Sequence, residues 1–516
     1  MKTNGRIQLF PFFRVAIALI LGIVAGESSG GCIPIIGLYA TLIGILTAVF
    51  LVRKFIFQSV MLLFATFVLS MLLVCLEESR LSVNLPEDEK VYEAVITSQP
   101  VERGKTVQFD MVVVKGLNER PLKAKAWLLK DSVKRRYLRL NVGDGITALS
   151  KFHQPENRFA TTRFNHCMWM KTHGFTAETF IYYRNWEKSV VDLRALSLLE
   201  RTRIVLLAYR QTLLKQYKTI GLDSDAYAIV AAMTLGDKSF VSRELKDTYA
   251  ISGASHVLAL SGLHLGIIYA LFIMLGLRRR GMAGILLLLT SVWAYALLVG
   301  LSSSVVRAAV MLSVYAFFSL GHREKMSLNV LSFTACIMLV CHPLALYDAG
   351  FQLSFCSMLS ITLLFKPLYR LFDEKWLACH RFVASLWSMT LVSFTAQIGV
   401  TPLIAYYFGR FSCYFLLTNF VAVPLATAIL YLSFLFFTVG QWSVVRLLFL
   451  KVMSAIIHAL NTSLNFIAHL PYASVEGINL SVWQVMMLYW LIVCVCLLCR
   501  YTLRPFQPKR DVPWYA

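Results

Sequence analysis

Charged side chains are scarce in this chain. Asp, Glu, Lys and Arg make up only 15% of its 516 residues, whereas 58% are hydrophobic. This composition excludes an ordinary soluble protein, because several apolar runs approach or exceed the roughly 18–20 residues that cross a bilayer. Acidic residues are the scarcer kind, at 28 against 50 basic ones. Part of that basic excess is expected of a polytopic α-helical membrane protein, whose cytoplasmic loops collect Lys and Arg.

The chain also lacks the motifs of common cofactor and metal sites. Only Cys167 of its 11 cysteines lies well inside the large polar region, so no disulfide framework is indicated there. CVCLLC at 494–499 has metal-ligand spacing but no His or Asp companion, which favours packing. TLGDKS differs from a phosphate loop, because Asp237 separates the glycine from the lysine and Ala231 replaces a required glycine. We expect no cofactor, no metal and no ATP site.

Three apolar runs open the chain, at residues 10–26, 33–52 and 55–76. Two more apolar runs follow the first instead of a small-residue cleavage site, so we interpret it as a span and not as a removed signal peptide. Basic residues lie before or at the start of the first run and between the second and third (Lys2, Arg6, Arg14, Arg53, Lys54). The positive-inside rule therefore predicts three transmembrane helices in residues 1–79 and a cytoplasmic N-terminus.

Residues 80–192 are polar and, by this topology, lie outside the cytoplasm. Turn signals separate five β-rich runs, namely VYEAVIT, VQFDMVVVKG, LKAKAWLLK, DGITALSKF and GFTAETFIYY. This density of short strands suits a small β-barrel inserted between membrane segments, with an OB-like fold as the leading interpretation. A β-sandwich fragment without a ligand is the alternative.

The same region is basic. Between residues 88 and 190 it holds 18 Lys and Arg against 11 Asp and Glu, a net charge of +7. Basic surfaces with aromatic side chains bind single-stranded nucleic acid, although aromatic residues more often belong to a core. The aromatic candidates are Phe109, Trp127, Tyr137, Phe152 and Phe159. The candidate DNA-binding cations are Arg135, Arg136, Arg139, Lys151 and Arg158.

Residues 193–253 form a transition zone. The run LLERTRIVLLAYRQTLLKQY repeats apolar residues at helical spacing with Arg and Lys between them, which is typical of an amphipathic helix at a membrane interface. The following run, AYAIVAAMTLG, is too short to span a bilayer. It is therefore predicted to be re-entrant or interfacial.

Nine further apolar runs occupy residues 254–503, at 254–277, 282–301, 303–320, 328–347, 350–366, 382–403, 413–439, 443–470 and 479–500. If the first starts outside, the first, third, fifth and last runs end at basic clusters that all fall on the cytoplasmic side. The pattern predicts about twelve crossings with both termini in the cytoplasm, including a tail at 504–516.

The run 254–277 contains polar groups, which are costly in hydrocarbon. In a single helix, His264 lies near mid-membrane and shares a face with Ser261, while Gly262 and Gly266 form a small-xxx-small surface for close helix contact. The Ser261/His264 pair either lines a cavity, bonds a neighbouring helix or acts as a nucleophile pair. Catalysis is the weakest of these interpretations, because no orienting acid or oxyanion motif stands out, and we expect no enzyme.

Other short polar segments, which we call polar islands, interrupt the later apolar runs. Arg307 lies about a turn inside the outer end of its run, where it either snorkels outward or faces a path. Asp348 marks an outer boundary, and Gln352 lies one turn deeper on nearly the same face. The remaining polar or helix-breaking candidates are Gln397, Pro402, Asn419 and Pro424. Because proline frees backbone carbonyls that protein or water must satisfy, these islands together predict a hydrated path rather than a passive anchor.

In this order, the islands resemble the ComEC family, the channel proteins of bacterial natural competence. The matching stretches are TLGDKSFVSRELKDTYAISGASHVLALSGLHLGII, GLSSSVVRAAVM, HPLALYDAGFQLSF, TAQIGVTPL and TNFVAVPLA. NRFATTRFNHCMWMKTHGFTAETF resembles the end of that family's OB-like domain. The resemblance implies an inner-membrane channel that passes single-stranded DNA into the cytoplasm.

The resemblance also implies partners: an apparatus that delivers DNA outside, and DNA-binding or motor proteins in the cytoplasm. Many family members carry a C-terminal metallo-β-lactamase-like domain, but this sequence has no H-x-H-x-D-H pattern and ends about sixteen residues after its last run. We therefore expect a separate nuclease. The alternative function is transport of another polyanionic or amphiphilic solute, such as a lipid or a cell-wall precursor.

Overall fold

The computed structural model describes residues 10–30, 33–117, 120–131, 133–157, 165–276, 281–320, 328–439 and 443–503. The predicted DNA contact Arg158, the aromatic candidate Phe159, the basic clusters at 278–280 and 321–325 and the predicted tail at 504–516 lie outside these residues. The described part is mostly helical, with one curled sheet inserted after the third helix and a two-stranded antiparallel sheet that pairs Arg410–Ser412 with Ser474–Glu476.

Three helices open the described chain, as predicted: α1 (Pro11–Ser28), α2 (Ile35–Leu51) and α3 (Phe55–Leu81). Helices α1 and α3 approach closely at Gly22, where an added Cβ would lie 2.3 Å from the carbonyl oxygen of Phe67. A glycine at this position therefore sets the distance between the two helices.

The sheet contains all five predicted strand runs. Its strands are β1 (Lys90–Ile96), β2 (Val101–Arg103), β3 (Thr106–Lys115), β4 (Leu122–Leu129), β5 (Gly145–Ser150), β6 (Phe152–His153), β7 (Ala177–Ile181) and β8 (Trp186–Ser189). The order is β6-β7-β4-β3-β1-β5-β8, with β2 paired to β3. Among the described strands of this sheet, only the β4–β7 pairing is parallel. The result is a curled half-barrel, and the closed OB-like barrel stays a prediction.

A buried hydroxyl chain holds the curl. The Tyr92 hydroxyl lies 2.9 Å from Ser150 Oγ, which lies 2.7 Å from Thr179 Oγ1. These residues belong to β1, β5 and β7, which are not all neighbours in the sheet. Burial raises the pKa of Tyr92 to about 12, so this phenol stays protonated and keeps its hydrogen bond.

A short helix, α4 (His166–Thr172), docks this β domain onto the membrane helices. Asn165 caps it by accepting a 2.8 Å hydrogen bond from the Met168 N–H. The helix rests on a 3-10 turn at Pro343–Tyr347, and Lys171 Nζ lies 3.7 Å from Glu78 Oε1 of α3. The β domain therefore contacts the bundle directly.

Helices α5 (Leu198–Ile220), α6 (Ser224–Leu235) and α7 (Arg243–Ile251) form the transition zone. The predicted amphipathic helix is α5, which begins at a Ser197/Glu200 capping box. Nearly every side chain of α6 is buried. Small alanine side chains let neighbouring helices close around this segment, and its interfacial or re-entrant position stays a prediction.

The remaining helices are α8 (Ser255–Leu258), α9 (Gly262–Met274), α10 (Gly281–Leu298), α11 (Ser303–Leu320), α12 (Leu328–Cys341), α13 (Ala349–Tyr369), α14 (Glu374–Cys379), α15 (Arg381–Phe408), α16 (Phe415–Val439), α17 (Ser443–Ala468) and α18 (Val482–Leu503). Every predicted span overlaps at least one helix. In the described ranges, eight helices are long and apolar enough to cross a membrane, and five apolar helices are shorter. The count of about twelve crossings stays a prediction.

The prediction of one continuous helix over 254–277 is wrong. Helix α8 ends at Leu258, Ala259 adopts an extended conformation, and α9 begins only after Ser261. The polar residues therefore lie at a helix start and not in the middle of a helix.

Helices α13 and α15 make a close contact at Gly399. A Cβ at this glycine would lie 2.5 Å from the Cys356 carbonyl oxygen and 2.7 Å from Ser360 Cβ. Beside it, the Ser360 hydroxyl donates a 2.6 Å hydrogen bond to the Thr395 carbonyl. The contact leaves no room for a side chain.

We expect Gly399→Ala to lower the thermal unfolding midpoint of the purified protein, because overpacking a tight contact costs about 1–3 kcal/mol. Gly266→Ala is the matched control, since nothing lies within 4 Å of a Cβ built at that helical position. Equal midpoints for the two variants would contradict the close packing of α13 on α15.

Candidate functional site

Ser261 and His264 form the start of α9. Ser261 is the N-cap residue, and its backbone N–H donates to His264 Nδ1 at 3.3 Å. The Ser261 hydroxyl lies 3.1 Å from the same nitrogen. His264 thus takes the place of the glutamate of a capping box, and its polarity satisfies a helix end that would otherwise be costly inside the bundle.

This geometry gives little support to a nucleophile pair. Because His264 Nδ1 accepts the Ser261 N–H, the ring proton lies on Nε2. That nitrogen is buried and has no hydrogen-bond partner of standard geometry among the described residues. A catalytic histidine requires a group that orients its second nitrogen.

The two predicted packing glycines differ. A Cβ at Gly262 would lie 3.3 Å from Ala308 Cβ of α11, so α9 and α11 approach closely there. The space around Gly266 is open. The small-xxx-small contact therefore involves Gly262 alone.

Arg307 and Asp348 form a buried ion pair. Arg307 Nη1 lies 3.2 Å from Asp348 Oδ2, and the side chains are only 5% and 15% exposed. Arg307 therefore does not snorkel to the surface. The pair joins α11 to the start of α13, where Asp348 also accepts the Phe351 N–H at 3.0 Å as the N-cap.

A glycine leaves room for this pair. A Cβ at Gly350 would lie 3.0 Å from Arg307 Nη2 and 3.1 Å from Asp348 Oδ2. Arg307 Nε has no hydrogen-bond partner within the described chain. The guanidinium thus keeps donor capacity that the carboxylate does not use.

Gln352 extends the cluster to a third helix. Its Nε2 donates to the Leu346 carbonyl at 2.9 Å, and its Oε1 accepts from the Tyr407 hydroxyl at 2.9 Å. Tyr407 belongs to α15, and sequence reasoning missed it. Arg307, Asp348, Gln352 and Tyr407 form what we call the α11–α13–α15 polar cluster.

The other predicted lining residues lie apart from this cluster. Gln397 is half-buried in α15, where its carbonyl accepts from Thr401 Oγ1 at 2.7 Å. Asn419 is half-buried in α16, and its Oδ1 has no hydrogen-bond partner within the described ranges. Pro402 and Pro424 lie inside α15 and α16, which both continue through them.

The basic candidates of the β domain divide into two groups. Arg135, Arg136 and Arg139 lie on or beside the 3-10 turn Arg136–Arg139, and the first and last are exposed. Arg136 is half-buried and donates to the Tyr183 carbonyl at 2.7 Å. Lys151 lies elsewhere, beside a cavity of about 350 Å³.

The aromatic candidates divide by the face of the sheet. Phe109 and Phe152 are buried in the domain core, whereas Trp127 lies on the outward face of β4. Lys123 and Lys125 share that face, and burial lowers the pKa of both. They were not predicted, although their alternation with alanines in LKAKAWLLK was a visible signal.

The Competence protein family model matches residues 233–501, just over half of the chain. ComE operon protein 3 of Bacillus subtilis (strain 168) is 31% identical over 260 residues, which cover 49% of this chain and 32% of that protein. An uncharacterized protein of Aquifex aeolicus (strain VF5) is 32% identical over 197 residues, 38% of this chain and 44% of that one.

No solved structure matches the chain. The matched part covers less than half the length of either relative. The family match includes α9 and the whole α11–α13–α15 polar cluster. The chain is a membrane protein that belongs to the Competence protein family, the ComEC family.

Proposed function

We propose that this protein passes single-stranded DNA across the bacterial inner membrane into the cytoplasm during natural transformation. The observation that carries the proposal is the position of the β domain over the polar cluster. Its helix α4 rests on the turn Pro343–Tyr347, and the next residue is Asp348, the partner of Arg307. A strand received by a basic domain would reach this cation first.

Arg307 is suited to meet a phosphate because it already binds one oxyanion. Carboxylate and phosphate both accept paired N–H bonds from the guanidinium fork. A passing phosphate would bind the donors of Arg307 that Asp348 leaves unused, so the carboxylate would keep its cation. Keeping the pair intact avoids the several kcal/mol that an isolated buried charge costs.

The outer face of the β domain would receive the strand through its exposed cations. Arg135 and Arg139 are exposed on one turn, and phosphate contacts of this kind release counterions. In this proposal the domain lies outside and both termini lie in the cytoplasm. A delivery apparatus, cytoplasmic DNA-binding or motor proteins and a separate nuclease complete the pathway.

We expect the purified full-length protein to bind a fluorescent single-stranded oligonucleotide with an affinity that falls as salt rises. Arg135→Gln and Arg139→Gln should each lower the slope of log K against log salt by about 0.7, since each removes one phosphate contact. The measurement is fluorescence anisotropy over a salt series.

Lys215→Gln is the control, because Lys215 is exposed on α5 but lies toward the end of that helix remote from the β domain. An unchanged slope in both arginine variants would show that neither arginine contacts a phosphate. Absence of binding at low salt would count against the receiving role itself.

Arg307→Gln should lower the thermal midpoint, because it leaves Asp348 buried without its cation, a loss of about 3–5 kcal/mol in comparable pairs. The double variant Arg307→Gln/Asp348→Asn should regain stability, since asparagine still caps α13 and no charge is left unpaired. We expect transformation by added DNA to stay at least about tenfold lower in both, because neither offers a cation to phosphate.

A double variant that recovers both stability and transformation would show that the pair has only a structural role. Deletion of the gene tests the whole proposal, and unchanged transformation after deletion would contradict it. Normal transformation with lost flux of a lipid or cell-wall precursor would instead favour the alternative transporter.

A further inference from the structure

The outward face of strands β4 and β7 carries three aromatic rings. Residues of β4 alternate between buried and half-buried, and Trp127 is one of the half-buried residues on the outward face. Phe180 is its register partner on the parallel strand β7 and is 40% exposed. Tyr182, two residues further, is 54% exposed, and its ring centroid lies 5.3 Å from that of Phe180. We call these three residues the aromatic face.

Helix α4 closes one end of this face. Lys125, in register with Glu178, places its Nζ 4.5 Å from the centroid of the Trp169 ring. Lys123 Nζ lies 4.3 Å from the Phe175 ring and donates to the His173 carbonyl at 2.8 Å. This end therefore holds two lysines, which lie beside the carboxylates of Asp110 and Glu178. It is the end that rests on the turn beside Asp348.

Cations also lie near the other end of the aromatic face. The Arg136 guanidinium donates to the Tyr183 carbonyl at 2.7 Å, and the exposed Arg184 lies 5.3 Å from the Tyr183 ring. Both arginines thus contact Tyr183, the residue next to Tyr182. Exposed rings between two groups of cations suit a ligand that is flat and apolar along one side and anionic along the other.

We propose that Trp127, Phe180 and Tyr182 stack the bases of single-stranded DNA, with the strand running along β4 and β7 toward α4. This inference rests on the proposed function and locates its receiving surface. Every base presents a π-face, so aromatic stacking is tolerant of sequence. From Glu178 to Tyr182 the strand β7 and its extension rise about 13 Å, at about 3.3 Å per residue, which is long enough for more than one base.

The charge of the domain decides between possible occupants. Between residues 88 and 190 it holds 18 basic and 11 acidic residues, and this positive net charge favours a polyanionic ligand. Lys123 and Lys125 continue the outward face from the rings toward the bundle. A strand on this face would therefore be led toward the α11–α13–α15 polar cluster.

The test uses the full-length protein in lipid nanodiscs, with a fluorescent 20-nucleotide dT strand as the probe. Phe180→Leu and Tyr182→Leu should each weaken binding by about 5- to 150-fold, the range that stacking on one ring supplies. The slope of log K against log salt should not change, since no phosphate contact is lost. Tyr182 lies beyond the end of β7, so its replacement does not disturb the sheet.

Two controls make the test specific. Tyr209→Leu changes a tyrosine on α5 that is 55% exposed, nearly as much as Tyr182, and should bind like the parent protein. An abasic strand of equal length should bind the parent and Phe180→Leu proteins equally, because it offers phosphates but no bases.

Parental affinity for dT in both Phe180→Leu and Tyr182→Leu would overturn the stacking surface and leave the proposed function standing. An equal loss in Tyr209→Leu would also overturn it. If the parent protein binds no single-stranded DNA at low salt, the receiving role and the stacking surface fail together. A loss confined to the aromatic face and to strands that carry bases would support the inference.

Discussion

The bundle depends on satisfying the backbone wherever a helix begins or ends within apolar surroundings. Hydrocarbon offers no hydrogen bonds, so freed N–H and C=O groups need partners from the protein. His264 accepts the backbone N–H of Ser261 at the start of α9. Arg210 donates to the carbonyls of Leu235 and Val299 at the ends of α6 and α10, at 3.3 Å each. Many polar residues in the apolar runs therefore serve helix ends before they serve any ligand.

Polar residues that only satisfy the backbone can therefore be distinguished from those that keep unused hydrogen-bond donors. The Thr418 hydroxyl donates to the Ser252 carbonyl at 2.6 Å and has no further proton to give. Arg307 differs, because its guanidinium has five donors and its Nε is unpartnered among the described residues. Asp348 combines two roles, as the cap of α13 and the partner of Arg307. The site proposed for phosphate is thus a place where a buried cation paired with a carboxylate still has a donor available; Arg210, which serves two carbonyls, also has an unpartnered Nε among the described residues.

Hydropathy predicted the helices well, because a run of apolar residues is itself the signal for a buried or lipid-facing helix. It failed at Ala259 and Leu260, which are as apolar as the helices on either side of the break. The break was visible only as Ser261 three residues before His264, a variant of the capping box in which histidine replaces glutamate. Arg307 and Asp348 were each predicted as candidates, but they are 41 residues apart. Their pairing depends on how α11 meets α13, which periodicity does not report.

The β domain illustrates the same limit on sequence reasoning in another form. Its five strand runs were predicted, but Phe109 and Phe152 turned inward, and the exposed rings of Phe180 and Tyr182 were missed. The alternation Glu178, Phe180, Tyr182 against Ala177, Thr179, Ile181 already separates two faces; which face is covered depends on the curl and on α4. Helix α4 places Trp169 against Lys125 and rests on the turn before Asp348. The exposed rings lie at the opposite end of the face from this turn. In the proposed pathway, base stacking on the β domain and phosphate binding at Arg307 would follow one another along a single strand, each using the chemistry that its surroundings favour: π-faces in water and a guanidinium where water is scarce.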